Sequence, residues 1–232
     1  MISSRSIQPE TLDHLDESDP RAVRSRADLR RIHRIMGTRS ILYRALRHSV
    51  APKRVIELGA GDGTLMLGLA RQLADRWPRV HLTLLDRQSL IAPATISAFH
   101  GLGWQLDIVN ADVLEWIKTP LSDRYDLLMA TLFIHHFDNA QLASLMPAIA
   151  ARSNAVFLCE PRRGRLPLLG SRLIGLIGAN AVTREDAVLS VRAGFSGNEL
   201  TQMWPRQGGG WRLREYAAGL FSHCFHALRQ SE

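Results

Sequence analysis

Glu57, Gly59, Gly61 and Gly63 form an acid-x-Gly-x-Gly-x-Gly run directly after a short apolar stretch, Arg54-Val55-Ile56. Glycines between a strand and a helix let a ligand approach the backbone and aim the first helical N–H groups at it. The spacing departs from the dinucleotide fingerprint G-x-G-x-x-G, which would need glycine where Thr64 stands. Further acids recur at the ends of later apolar runs: Asp86, Asp112 and Glu160. A carboxylate at a strand end can accept from both hydroxyls of a sugar diol, which suits Asp86. Asp112 suits a ligand contact and equally the N-cap of a short helix from Val113 to Lys118. His135 and His136 follow the fourth apolar run. Imidazole has an unperturbed pKa of about 6.5 and can take a proton at neutral pH. The apolar neighbours Phe133, Ile134 and Phe137 are expected to lower that value by disfavouring the charged form. His223 and Glu160 stand behind the pair as alternative bases. Arg162 and Arg163 are cations that could pair with an acceptor carboxylate. Each histidine reads equally as a packed or capping residue, and each arginine as a solvated charge.

These groups need elements to bring them together. Residues 1–20 are polar and aperiodic and are expected to be flexible or loosely attached. Leu29, Ile32, Ile35 and Met36 then share one helical face, with arginines on the other and Gly37 as the stop. A second helix runs through Ile41, Leu42, Ala45 and Leu46 to a break at Pro52. After the glycine turn, Leu65, Leu69, Leu73 and Trp77 recur every four residues on a third helix. Strands are expected at Val80–Asp86, Trp104–Val109, Tyr125–Thr131 and Ala155–Glu160, with helices between them. Asp138 and Gln141 form a capping box for the helix Ala140 to Arg152. Two more boxes are expected at Thr183/Asp186 and Ser196/Glu199. Gly208-Gly209-Gly210 reads as a turn before two strands, Trp211–Ala217 and Leu220–Leu228. The alternation predicts an α/β fold with a doubly wound, mostly parallel sheet and a terminal antiparallel strand pair. In such a sheet ligands bind at the carboxyl ends of the strands. Glu57, Asp86, Asp112, Thr131 to His136 and Glu160 all fall at such ends.

The chain has 232 residues, 46% hydrophobic and 22% charged, which suits one sizeable globular domain. Two cysteines, Cys159 and Cys224, give neither a disulfide framework nor a zinc pattern, and no metal site is expected. No apolar run reaches the roughly 18 residues of a membrane span, and no signal sequence is visible, so a cytoplasmic protein is expected. The net charge of +7 is uneven. Residues 21–54 hold eleven Arg/Lys and one acid, Asp28, a net +10, so the remainder is net −3. Such an arm can bind nucleic acid, anionic lipid or an anionic substrate, or be a solvated helix face. No RNA-binding module accompanies it, which argues against nucleic acid. Peripheral membrane contact stays open, as do monomer and homodimer.

The run ELGAGDG, Asp86, Asn110-Ala111-Asp112 and the segment around His135-His136 together resemble the class I methyltransferases that use S-adenosylmethionine (SAM). The resemblance covers roughly Ile32 to Leu228. It implies a seven-stranded sheet with a reversed last strand, SAM as cofactor and S-adenosylhomocysteine as product. It places cofactor contacts at Glu57, Gly59, Ala60, Gly61, Gly63, Asp86, Arg87, Asp112, Val113 and Thr131. Glu57 would lie near the methionine amino group, Asp86 at the ribose, Asp112 at the adenine amino group and Val113 on its ring. It divides the chain into residues 1–20, a helical lid at 21–52 and a SAM-binding domain at 53–232, in which 161–204 shapes the acceptor pocket. The lid helices read equally as cover for one side of the sheet. The histidine segment is similar to that of quinone C-methyltransferases and natural-product O-methyltransferases. It lacks the N/D-P-P-Y/F of many amino-nitrogen methyltransferases. The implied acceptor is a small, largely apolar molecule with a phenolic or quinone-like hydroxyl, and His135, His136 and His223 are the candidate bases. Two alternatives keep the fold: an RNA methyltransferase using the basic arm, and a non-catalytic SAM-binding partner protein.

Overall fold

A computed structural model describes residues 4–121, 123–205 and 210–230. A short 3-10 turn, Thr11–His14, leads into α1 (Pro20–Met36) and α2 (Thr38–Leu46). There follow β1 (Arg54–Leu58), α3 (Thr64–Leu73), β2 (His81–Asp86), α4 (Pro93–Gly101) and β3 (Gln105–Asn110). Next come α5 (Val113–Trp116), β4 (Leu127–Thr131), a 3-10 turn at Ile134–His136, α6 (Asn139–Arg152) and β5 (Ala155–Pro161). The chain ends with α7 (Arg165–Leu173), a 3-10 turn at Ile174–Ile177, α8 (Ala181–Ala193), α9 (Glu199–Met203), β6 (Trp211–Ala218) and β7 (Ser222–Arg229). The seven strands lie in the order β3-β2-β1-β4-β5-β7-β6. All neighbours from β3 to β5 are parallel, and β7 alone runs antiparallel between β5 and β6. The winding reverses between β1 and β4, so the ligand crevice is expected at their carboxyl ends.

Strand periodicity divides the core into two layers. Val55, Leu127, Met129, Phe157 and Cys159 face a cluster built with α2, α3 and α4. Ile56, Leu58, Leu128, Ala130, Val156 and Leu158 face the other, built with α5, α6 and α9. Gly37 closes α1 at φ +67, and its N–H bonds back to Arg34 and His33, so α2 can start at once. The capping box of α6 forms as expected, Asp138 accepting from Gln141 N and the Gln141 side chain from Asp138 N.

Three expectations are corrected. Asn180, not Thr183, caps α8 by accepting from Thr183 N. Thr183 donates instead to Asp28 Oδ2, and the Asp186 carboxylate accepts from Thr11 N and Leu12 N. Glu199 does reach back to Ser196 N at 2.9 Å, but α9 starts only at Glu199, with Asn198 at its N-cap and no side-chain cap hydrogen bond. Residues 5–17 are not loosely attached. Their backbone and side chains reach Arg192, Asp186, Ser190, Arg87 and Ser89, so the segment is strapped from α8 across to the end of β2. The signal was weak because the strap is held by polar groups rather than by a periodic apolar face. Of the expected turn at Gly208-Gly209-Gly210, the first two residues lie outside the described ones.

Candidate active site

A cavity of about 780 Å³ opens at the carboxyl ends of the strands. Of the candidate residues, Glu57, Gly59, Ala60, Gly61, Asp86, Arg87, Asp112, Val113, Thr131, His135 and His136 line it, whereas Gly63 and His223 do not. The glycine turn is built on β2. Gly59 N and Ala60 N both donate to Leu85 O, and Gly61 N donates to Asp86 Oδ2 at 2.8 Å. The glycines do different jobs. A Cβ on Gly59 would sit 2.2 Å from the Phe133 ring, so this glycine yields to a side chain from the end of β4. A Cβ on Gly61 would meet nothing within 4 Å, so this one leaves the cavity floor open. Both have positive φ, +68 and +55. Gly63, at φ +70, packs against Leu84 and starts α3.

Glu57 is buried at the end of β1, and its Oε2 has no hydrogen-bond partner. Burial, then the charges of Asp86 and Asp62, push its carboxyl up to about 8. A buried acid that is neutral for want of a counter-charge is a site for a cation. Thr131 Oγ1, at the end of the adjacent β4, is likewise buried without a partner. Asp112 caps α5, its Oδ1 accepting from Leu114 N at 2.7 Å, and also lines the cavity with Val113. The N-cap reading of that residue is thus observed. Arg87 Nη2 donates to the carbonyl of Asp13, so its guanidinium holds the N-terminal strap. Leu132, next after β4, has φ 53, the one non-glycine residue with positive φ among those described. Such backbone persists where surrounding structure over-determines it, and here it bends the chain from β4 into the histidine segment.

The two histidines stand side by side, ring centroids 4.3 Å apart. Each has a carboxylate on Nδ1. Glu160 Oε2 lies 2.8 Å from His135 Nδ1, and Asp13 Oδ2 lies 3.1 Å from His136 Nδ1. Glu160 also accepts from the backbone N–H groups of Phe133, Ile134 and His135. It therefore fixes the segment from below and is not available as a base. His135 Nε2 faces Glu10 Oε1 at 3.5 Å, an ion-pair separation rather than a good hydrogen bond. Burial alone would lower the His135 pKa. Hydrogen bonding and charge from Glu10 and Glu160 outweigh it and push the value up to about 9. The expected lowering by apolar neighbours is thus overturned, because two carboxylates flank the ring. One ligand atom each from Glu10, His135 and His136 lie within 4.8 Å of one another, a spacing that could hold a metal ion. In the structure Glu10 accepts from Ser190 Oγ, and the histidines meet Glu160 and Asp13 through Nδ1, which leaves Nε2 of each ring as the possible ligand atom. Neither Glu10 nor Asp13 carries a sequence signal beyond being an acid in an aperiodic stretch. His33 of α1 was missed too; it lines the cavity, and burial pulls its pKa down to about 4 against the opposing charge of Asp62.

His223 lies away from the cavity. It sits opposite Glu160 in the β5–β7 register, but its Nε2 is 2.8 Å from Glu215 Oε1, which also accepts from Leu200 N. The pair ties α9 to the far sheet edge. Arg163 is also structural, bonding Gly194 O, Ser196 Oγ and Glu199 Oε1.

No family model matches this sequence, and no curated protein matches it either. Solved structures do. The pyocyanin biosynthetic protein PhzM aligns over 96% of this chain, which spans 62% of that protein's length, at 17% identity and a TM-score of 0.64. The plantazolicin methyltransferase BamL, in complex with a triazolic desmethylPZN analog and SAH, aligns over 92% of this chain and 93% of its own, at 16% identity and a TM-score of 0.61. The magnesium protoporphyrin IX methyltransferase ChlM from Synechocystis PCC 6803, with bound SAH, aligns over 94% and 91%, at 13% identity and a TM-score of 0.52. Identities this low speak to the fold alone, and the seven-stranded α/β fold of this chain is the one that the methyltransferases BamL and ChlM also have.

Proposed function

We propose that the protein is a SAM-dependent methyltransferase acting on an ionisable hydroxyl of a small, largely apolar acceptor. The observation that carries the cofactor is Glu57. A buried carboxyl with an unpartnered oxygen, beside a glycine turn that leaves the floor open at Gly61, fits the ammonium end of SAM. Asp86 would hold the ribose diol, and Asp112 with Val113 the adenine. Bound there, SAM supplies an activated methyl group. The chain's own contribution is to position two reactants and manage one proton. His136 is the better base of the pair. Asp13 accepts at its Nδ1, which orients Nε2 for an acceptor hydroxyl, whereas a carboxylate faces each nitrogen of His135. Apolar groups of α1, Leu29, Ile32, Ile35 and Met36, line the cavity with Leu173, Ile174 and Ile177 after and within α7, which supports an apolar acceptor and a lid role for α1.

The test is mass spectrometry of cell extract incubated with purified protein and methyl-labelled SAM. A labelled O-methyl product that disappears with His136→Gln supports the reading. SAM binding without any labelled product across extracts and a phenol panel would favour a non-catalytic binding protein. Transfer of label to RNA, steeply weakened by salt, would favour the basic arm as a nucleic-acid footprint.

A further inference from the structure

α7 is amphipathic in the wrong sense for a helix packed on a globular body. Its inward face is small or polar: Pro167 and Ser171 are buried, and a Cβ on Gly170 would sit 2.7 Å from the Phe221 ring. Its outward face is leucine. Leu166, Leu169, Leu173 and Leu176 follow at spacings of three, four and three residues, one stripe along the helix and the 3-10 turn after it. They are 65, 53, 48 and 83% exposed, and Ile177 beside them is 38% exposed. Scattered exposed leucines need no explanation, but a contiguous stripe does.

Two further observations say what covers it. The first is charge. Arg165 and Arg172 are exposed on the same helix, Arg31 of α1 donates to Ile177 O at the end of the stripe, and Arg184 of α8 packs against Gly175. Arg31 is paired with Asp28 and Glu185 stands with Arg172 and Arg184, so the net positive edge of the stripe comes from Arg165, Arg172 and Arg184 against that one acid. A leucine face edged with arginine fits an anionic lipid headgroup layer. The second is continuity. Leu173 and Ile177 are both solvent-exposed and part of the cavity wall, so the stripe runs without a break into the active-site cavity. We propose that the Leu166–Ile177 face, with Arg165 and Arg172 on the same helix, docks the protein on an anionic bilayer surface, with the cavity mouth toward the lipid. Docked this way, the site would take an acceptor with an apolar tail directly from the bilayer; this last step rests on the methyltransferase reading above.

The experiment is co-sedimentation of the full chain with vesicles of phosphatidylcholine alone or with 30% phosphatidylglycerol by composition, on the order of a physiological anionic content. Binding is expected to the anionic vesicles and to weaken with added salt. Leu169→Glu/Leu176→Glu should reduce it at least tenfold, since burying one leucine is worth roughly a tenfold partition or more. Neither leucine lines the cavity, so calorimetric SAM binding should match wild type and show the variant is folded. Absence of vesicle binding by a SAM-binding wild type overturns the docking. So does self-association that the same variant abolishes without any vesicle binding, which would assign the stripe to a second copy of this chain. Vesicle binding by a protein that takes no SAM would leave the docking standing and overturn the methyltransferase reading instead.

Discussion

At the scale of single residues, Glu57 makes the sharpest prediction. With its carboxyl pushed up to about 8, it is mostly neutral at pH 7. Pairing with the ammonium of SAM requires the carboxylate, so binding at pH 7 should release close to one proton, and the release should shrink as pH rises through about 8. Calorimetry in buffers of different ionisation enthalpy measures this. Glu57→Gln should abolish the release and weaken SAM about ten- to a hundredfold. Unchanged affinity in that variant would remove Glu57 from the cofactor site. His136→Gln should lower kcat by roughly 10²–10⁴ with SAM affinity nearly unchanged. If His135→Gln does this instead, the two rings have exchanged roles. The acids and histidines were legible as types, because they fall where strands end. Their division of labour was not, since it depends on Glu10 and Asp13, more than 120 residues away along the chain from the histidines they meet.

At the scale of elements, the N-terminal strap and α1 differ from α2. Neither core cluster takes a buried residue from before Ile41. Removing residues 1–36 should therefore leave a folded, SAM-binding domain whose turnover falls at least tenfold, with the loss of Glu10, Asp13 and the cavity face of α1. Removing residues 1–50 also takes Ile41, Leu42 and Leu46, each worth about 2–5 kcal/mol as a truncation to alanine, and should abolish folding. Circular dichroism and thermal melts separate the two. The strap has its own pH dependence. His135 is raised in the folded state, so its contribution is full below about pH 6.5 and is lost as pH rises through about 9. Thermal stability should decline over that window by up to about 3 kcal/mol, and His135→Gln should flatten the decline. α3 and the strands with apolar runs could be read from sequence because local pattern and burial agree there. The Thr183/Asp186 box could not, because Asn180 stands at the true cap and the two side chains are used by α1 and the strap.

At the scale of the whole molecule, the sheet carries its stability in two faces and its chemistry at one end. A change in either face at a residue that does not line the cavity acts on folding alone. Leu145→Ala, fully buried in the α6 face and outside the cavity, should cost about 2–5 kcal/mol in denaturant unfolding, with SAM affinity unchanged where the domain remains folded. The strand order has a consequence of a different kind, in the timing of synthesis. β7 is the last strand in the chain, yet it lies between β5 and β6 and not at an edge. Until residues 222–229 leave the ribosome, the apolar strand β5 presents an open hydrogen-bonding edge, and β6 has no neighbour in the sheet. The domain can wind its five parallel strands as they emerge. It closes only when β7 slides into the gap, so a stall before residues 222–229 emerge leaves a ligand-shaped sheet with a sticky edge.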